Sequence, residues 1–299
     1  MRIFAESVAP AVLEAARERI RTTLSPVRHA FAFASLKGGT GKSAMAVNCA
    51  VALALEGRKV AIVDADLNAP SILPMFAMKP PRSLPMVEGI EPVAGPHGLK
   101  IVSSAMIPGG EPPLFNPFAD ETNGAEAPAN PAPRIGSFDA IVRMLSQARI
   151  GAVDTLVIDL APGLDHALDL SQLAPSIPVV FVTNPSEHAT NALRHGFQAA
   201  AASGVRVIGV IENMAGYHCD GCRSVRPLWP EGSLASAVRD VASRVLGRIP
   251  FEPRVAECCD RGVPFVRLYG DTPTAHGIKE ICVNIESALG AISRPAVLA

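Results

Sequence analysis

Phe31-Ala32-Phe33-Ala34-Ser35-Leu36-Lys37-Gly38-Gly39-Thr40-Gly41-Lys42-Ser43 is an apolar run that breaks into a glycine-rich loop ending in Gly-Lys-Ser. The run 31–35 reads as a strand, and the chain from Ala44 to about residue 55 as a helix. Strand, tight glycine loop and helix, in that order, make a cradle for phosphate. Three glycines let backbone N–H groups close around phosphate oxygens, which a Cβ would obstruct. The expected nucleotide-contacting set is Gly38, Gly39, Thr40, Gly41, Lys42, Ser43 and Ala44. Lys42 would reach the β/γ-phosphates, and the Ser43 hydroxyl would ligate Mg²⁺. The helix behind them points its positive N-terminal end at the anion. The bland alternative is a glycine-rich turn that binds nothing.

Outward from this loop, β-branched runs alternate with helical periodicity. Strands are expected at 59–64, 99–103, 154–160, 178–183 and 205–212. Helices are expected at 137–150, 186–202, 233–246 and 273–289. Near the N-terminus, Val8, Val12, Leu13, Ala16 and Ile20 fall close to helical spacing over 5–23, and Ser25-Pro26 ends that helix. The pattern predicts an α/β fold with a mostly parallel central sheet and helices on both faces. We expect residues 1–28 to be a helical extension and 29–299 one phosphate-loop domain. Residues 106–135 interrupt the pattern. Pro108, Pro112, Pro113, Pro117, Pro128, Pro131 and Pro133 exclude a packed strand or helix there, so this stretch reads as an insertion.

Composition sets outer bounds. The 299 residues are 48% hydrophobic, enough for one large α/β domain or two small ones. A net charge of −1 gives no global pull toward nucleic acid or anionic lipid, so neither is an expected partner. No apolar stretch reaches the roughly 18 residues of a membrane span. The first residues lack an apolar signal core, and the expected location is the cytoplasm. Six cysteines in such a chain do not read as a disulfide framework; they read as core residues or metal ligands.

Three acids stand at strand ends. Val63-Asp64-Ala65-Asp66 leaves one strand with two carboxylates, and Val157-Ile158-Asp159 ends another. Ligands of open α/β sheets bind at that edge. Of Asp64 and Asp66, one can help organise Mg²⁺ and one can orient the attacking water, with Asp159 suited to outer contact with the metal. Each alone reads more often as a helix cap or turn residue; all three at strand ends of one phosphate-loop fold favour function.

Lys37, at the front of the loop, makes Lys37-Gly38-Gly39-Thr40-Gly41-Lys42-Ser43 resemble the deviant Walker-A group. The resemblance implies ATP rather than GTP. It also implies a homodimer in which Lys37 reaches across the interface to the partner's nucleotide. The alternative is a surface lysine.

A second stretch, 208–222, runs from a strand through Glu212-Asn213-Met214 into Cys219-Asp220-Gly221-Cys222. Thiolates at that spacing chelate one soft metal centre. Two of them leave a tetrahedral zinc or a four-iron cluster half-liganded, and a symmetric dimer would supply the rest. A redox pair or two unrelated thiols have the same spacing. Cys49, Cys258, Cys259 and Cys282 read as core or loop thiols. His218 reads as a surface imidazole, and Tyr217 and Trp229 as packing or shielding residues.

Over roughly 30–290 the chain resembles the Mrp/ApbC family of iron–sulfur cluster carriers, relatives of MinD and of the nitrogenase iron protein. The resemblance rests on residues 37–43, Val63-Asp64-Ala65-Asp66, Ala69-Pro70-Ser71-Ile72, Ile158-Asp159, Pro162-Gly163 and Glu212-Asn213-Met214 with Cys219 and Cys222. Leu246-Gly247-Arg248-Ile249-Pro250-Phe251 and Asp260-Arg261-Gly262-Val263-Pro264 extend it. It implies a [4Fe–4S] cluster bridged by Cys219 and Cys222 of two protomers and handed to apo iron–sulfur clients under ATP control. It implies that Asn213 reads the adenine and Asp66 orients the lytic water. Lys37 and Lys42 complete the implied catalytic set, and Ser43, Asp64 and Asp159 the Mg²⁺ set. The chain departs from the family pattern at Asp159-Leu160-Ala161-Pro162-Gly163-Leu164-Asp165-His166, where two threonines are missing. The competing reading is a MinD/ParA-like positioning ATPase with structural or zinc-binding cysteines.

Overall fold

The computed structural model describes residues 9–67, 69–81, 89–107, 137–218, 221, 224–229 and 244–293. The order of elements begins α1 (Pro10–Leu24), β1 (Val27–Ala34), α2 (Lys42–Leu55), β2 (Val60–Asp64), β3 (Val93–Ala94) and β4 (Lys100–Ser103). It continues through α3 (Ser137–Gln147), β5 (Val153–Asp159), α4 (Leu164–Leu173), β6 (Val179–Thr183) and α5 (Glu187–Ala202). It closes with β7 (Val207–His218), β8 (Val225–Pro227), β9 (Val245–Phe251), α6 (Pro253–Arg261), α7 (Phe265–Leu268) and α8 (Pro273–Ser293).

The described strands form one sheet in the order β3-β4-β2-β5-β1-β6-β7-β8, with β9 on β7. The pairs β4/β2, β2/β5, β5/β1, β1/β6, β6/β7 and β7/β9 are parallel. Only β3 and β8 run antiparallel to their neighbours. Central position follows from composition. Phe31, Ala32, Phe33 and Ala34 of β1 and Ala61, Ile62 and Val63 of β2 are sealed from solvent, as expected for strands covered on both faces. Each fully buried Phe or Ile side chain contributes about 2 kcal/mol. On one face α2 lies against β2 and β5 and under α8. On the other, α1, α3, α4 and α5 pack in a row.

α2 is buried on nearly all sides. Its small residues Ala46, Cys49, Ala50 and Ala52 let it sit close to the sheet and to α8, where the Cys282 thiol donates to the Cys49 carbonyl at 3.7 Å. Asn48 ties α2 to α7 by accepting from Val266 N–H at 3.0 Å. α1 contributes Ala16 and Ile20 to the core. Among the described residues, no helix is long and apolar enough to cross a membrane.

The structure adjusts several expectations. β7 runs to His218 rather than 212, because its outer end pairs with β8. Val245 and Leu246, expected to end a helix, begin β9 and extend the sheet beside β7. The remainder of that expected helix, 233–243, lies outside the described residues, as do residues 1–8 and most of the Pro-rich stretch, 108–136. Three helices were not anticipated: α4, α6 and α7. α6 carries legible signals in its N-cap Glu252, which accepts from Arg254 N–H at 3.2 Å, in Pro253, and in Gly262 at its end. Gly262 is obligatory there: φ is +67° and a Cβ would stand 2.2 Å from the backbone nitrogen of Ala77.

Candidate nucleotide site

The C-terminal edges of β2, β5, β1 and β7 converge on the glycine loop. Parallel register aligns Ser103, Asp64 and Asp159 in one row across β4, β2 and β5, with Asp159 opposite Phe33 of β1. α2 starts at Lys42, and its first intrahelical bond is Met45 N–H to the Gly41 carbonyl, 2.9 Å. The N–H groups of Lys42, Ser43 and Ala44 therefore precede the first helical hydrogen bond, as in an anion-binding helix start. Gly38 and Gly39 are exposed at the loop's mouth, Gly39 with φ +76°.

Lys42 extends inward rather than out. Its Nζ donates to Asp159 Oδ1 at 2.5 Å and to Ser43 Oγ at 3.2 Å, with side chains 6% and 0% exposed for Lys42 and Asp159. Burial pushes the Asp159 carboxyl up, and Lys42 and the neighbouring Ser43 hydroxyl pull it down; the net direction is up. Asp159 Oδ2 is buried with no hydrogen-bond partner among the described residues. An unused carboxylate oxygen beside a serine hydroxyl and a second carboxylate is a donor set that fits a hard divalent cation.

Asp64 organises the chain that follows it. Oδ2 accepts from Ser71 N–H (2.9 Å), Ile72 N–H (3.0 Å) and the Ser103 hydroxyl (3.2 Å), and Oδ1 accepts from Asp66 N–H (3.2 Å). Despite these donors, burial and then the Asp159 charge raise its pKa to about 7. Asp66 Oδ1 accepts from Ala69 N–H at 3.0 Å, and its carbonyl accepts from the Ser104 hydroxyl at 2.8 Å. His166, in the first turn of α4, carries an imidazole whose pKa is lowered, first by burial and against the nearby Asp66 and Asp165 charges.

The Asp64 shift has a consequence for stability. Between about pH 4 and about 7 the folded state keeps a proton that the unfolded chain has released. Stability is therefore lost as pH rises through that window. At about 1.4 kcal/mol per unit the effect is on the order of 4 kcal/mol. Melting temperatures of nucleotide-free wild type and Asp64→Asn should diverge between pH 5 and 8, with wild type losing more. Parallel pH dependence would show that Asp64 does not titrate there.

Lys37 differs from Lys42. Its Nζ and the Thr40 hydroxyl are both buried without a hydrogen-bond partner among the described residues. Leu36, Lys37 and Thr40 face β6 and α5 across a cavity of about 10 Å³ that also touches Thr183, Ala189 and Leu193.

Beyond the loop, a cavity of about 280 Å³ opens between α2, the end of β7 and α6. It is lined by Gly41, Ala44, Met45, Asn213, Met214, Ile249, Pro250, Phe251 and Val255, among others. Its walls are mostly apolar, as a purine requires. The Asn213 side chain donates from Nδ2 to the Thr40 carbonyl at 2.8 Å, coupling the cavity to the glycine loop. Gly41 permits that approach: φ is +81° and a Cβ would stand 2.3 Å from Asn213 Nδ2. Gly41→Ala should cost about 1–2 kcal/mol from the left-handed backbone alone. It should also displace Asn213 and lower nucleotide affinity about tenfold or more. Isothermal titration with ADP checks this; wild-type affinity would refute the coupling.

Next to Asn213, Met214 has φ +57°, and its carbonyl accepts from Trp229 Nε1–H at 3.2 Å, bracing the β7–β8 hairpin. Glu212 pairs with Arg248 Nε at 2.8 Å. His218 of β7 pairs with Val225 of β8. Cys219 and Cys222 fall between them in sequence and lie outside the described residues. Cys49, Cys258 and Cys282 are buried, as expected, and Cys259 is half-buried on α6.

Lys37, Lys42, Ser43, Asp64, Asp66, Asp159 and Asn213 are thus brought to one edge of the sheet. Sequence reasoning missed Ser103, Ser104, His166 and the α6 wall of the cavity. The Ser-Ser pair closing an apolar run was the available signal for the first two.

Comparison with known proteins agrees with this geometry. Residues 26–114 and 134–286 match the family described as ParA, NUBPL iron-transfer P-loop NTPase. The iron–sulfur cluster carrier protein of Saccharolobus solfataricus is 32% identical over 260 residues, covering 86% of this chain and 82% of that protein. The protein of the same description from Methanocaldococcus jannaschii is 31% identical, covering 89% and 87%. Among solved structures, a nucleotide-binding protein from Archaeoglobus fulgidus in complex with ADP superposes with TM-score 0.65 at 27% identity, covering 87% of this chain and 95% of that one. The cell-division ATPase MinD of Pyrococcus furiosus shares the fold at TM-score 0.58 and 17% identity, covering 87% and 99%. With the family match spanning most of its length, this chain belongs to the iron-transfer P-loop NTPases.

Proposed function

We propose that this protein is an ATP-hydrolysing iron–sulfur cluster carrier that works as a homodimer in the cytoplasm and passes a [4Fe–4S] cluster to apo-protein clients. The observation that carries the ATP half is the apolar cavity joined to the glycine loop through Asn213. With Nδ2 committed to Thr40, the Asn213 oxygen is the atom left for a base. An acceptor suits the exocyclic amine of adenine and not the carbonyl of guanine. The cluster half rests on Cys219-x-x-Cys222 and on the carriers to which the chain is similar.

In this reading residues 29–299 act as one ATPase domain, with 1–28 as its helical extension and 106–135 as an insertion. Backbone N–H groups from Gly38 to Ala44 bind the phosphates. Lys42 exchanges Asp159 for the phosphates when nucleotide enters, since both offer an anion at the same ammonium. Ser43 and Asp159, with Asp64 behind them, hold Mg²⁺, which when bound neutralises charge on the transferred phosphoryl group. Asp66 orients the attacking water. Lys37, whose ammonium has no hydrogen-bond partner among the described residues, reaches the nucleotide of the second protomer. The cluster is cargo, held by Cys219 and Cys222 of both protomers.

Anaerobic incubation of the wild-type chain with iron and sulfide tests the proposal. About four iron and four sulfide per dimer, transferred to an apo-acceptor at a rate that Mg·ATP changes, is the expected result. ATP binding without iron uptake would overturn the carrier reading and leave a nucleotide switch. Co-sedimentation of such a chain with liposomes or DNA would then favour a positioning ATPase.

A further inference from the structure

Two consecutive serines at the exit of β4 meet the two acids at the exit of β2. The Ser103 hydroxyl donates to Asp64 Oδ2 at 3.2 Å, and the Ser104 hydroxyl donates to the Asp66 carbonyl at 2.8 Å. Both serines are buried, at 0% and 5% exposure. Their turn is itself fixed. The Ser103 hydroxyl accepts from Ala105 N–H at 3.2 Å, Ser103 N–H reaches Met106 Sδ at 3.3 Å, and Ile107 N–H closes on the Ser104 carbonyl at 3.0 Å. Asp66 is thereby gripped on both sides of its α-carbon. Its N–H is held by Asp64 and its carbonyl by Ser104. The second grip comes from the exit of β4, since parallel pairing sets Ser103 opposite Asp64 and Ser104 one residue beyond.

From this we infer that Ser104 is a positioning residue for ATP hydrolysis: it fixes the backbone of Asp66, and so the place from which that carboxylate can hold a water. The inference rests on the assignment of Asp66 made above. Ser104 touches neither the glycine loop nor the base cavity, so its loss should leave binding intact and slow the chemical step. Small misplacements of a water-orienting group are costly because hydrolysis depends on alignment at the γ-phosphorus.

Steady-state ATPase rates and the Kd for a non-hydrolysable ATP analogue, measured on wild type, Ser104→Ala, Ser104→Thr and Asp66→Asn, test this. Ser104→Ala should lower kcat about tenfold with Kd and melting temperature little changed, and Ser104→Thr, which keeps the hydroxyl, should restore most of the rate. An unchanged kcat in Ser104→Ala, or a kcat that falls together with a matching rise in Kd and a lower melting temperature, would overturn the inference. A wild-type rate in Asp66→Asn would instead remove the Asp66 assignment on which it stands. Asp66→Asn inactive with Ser104→Ala at full rate would remove the Ser104 inference alone.

Discussion

Lys42→Ala is expected to abolish ATP hydrolysis, lowering kcat by at least about 100-fold, the scale seen when one preorganised charge donor to a transition state is removed. The structure adds a second effect. Lys42 is the hydrogen-bonded counter-ion of Asp159, and both side chains are buried. Removing one partner of a buried pair leaves an uncompensated charge, typically at a cost of about 3–5 kcal/mol. Asp159 already sits above the usual carboxylate range because burial outweighs Lys42. Without the lysine the carboxyl rises further, so the stability loss should be smaller at low pH, where the carboxyl is neutral, and grow as pH rises. Lys42→Ala/Asp159→Asn separates the two effects: stability should return, activity should not. Recovery of ATPase in the double variant would mean that Lys42 serves the fold and not the phosphates.

On the carrier reading proposed above, Cys219→Ala/Cys222→Ala should reduce bound iron and sulfide to background while nucleotide binding persists. Thiolate, not thiol, is the ligand. The remaining cysteines are poor substitutes for a stated reason. Burial raises the Cys258 thiol and pushes Cys259 up to about 11, while the hydrogen bond with Cys49, and then burial, lifts Cys282 well above its ordinary value. All three stay protonated at pH 7, and Cys49 and Cys282 are sealed between α2 and α8. Cys258→Ser/Cys259→Ser should therefore retain the cluster. Absorption near 400 nm (roughly, for a four-iron centre) together with iron analysis on the three proteins checks this. A cluster that survives in Cys219→Ala/Cys222→Ala would locate the ligands elsewhere.

The glycine loop and the central strands were legible because their signals are local. Phe31 to Ala34 and Val60 to Val63 are continuous apolar runs, and a strand buried on both faces needs nothing else to declare itself. Gly-Lys-Ser behind such a strand specifies the phosphate cradle by backbone geometry alone. The helix α4 was missed because Asp165, His166 and Asp169 dilute a short amphipathic pattern that packing on α3, α1, α5 and β1 completes. β9 was missed at Val245 and Leu246 because strand and helix ends look alike until a partner strand is present, here β7.

By itself, then, the sequence determined the α/β class, the phosphate loop and the set of acids and thiols available for chemistry, since each follows from residue type and spacing within one element. Tertiary structure alone decided how they are joined. The ion pair of Lys42 with Asp159 spans 117 residues, the hydrogen bond from Ser103 to Asp64 spans 39, and the one tying Asn213 to the glycine loop spans 173. Parallel pairing of strands distant in the chain creates these contacts, and burial in that sheet, not local sequence, sets Asp64 near neutrality and holds Lys42 on its counter-ion.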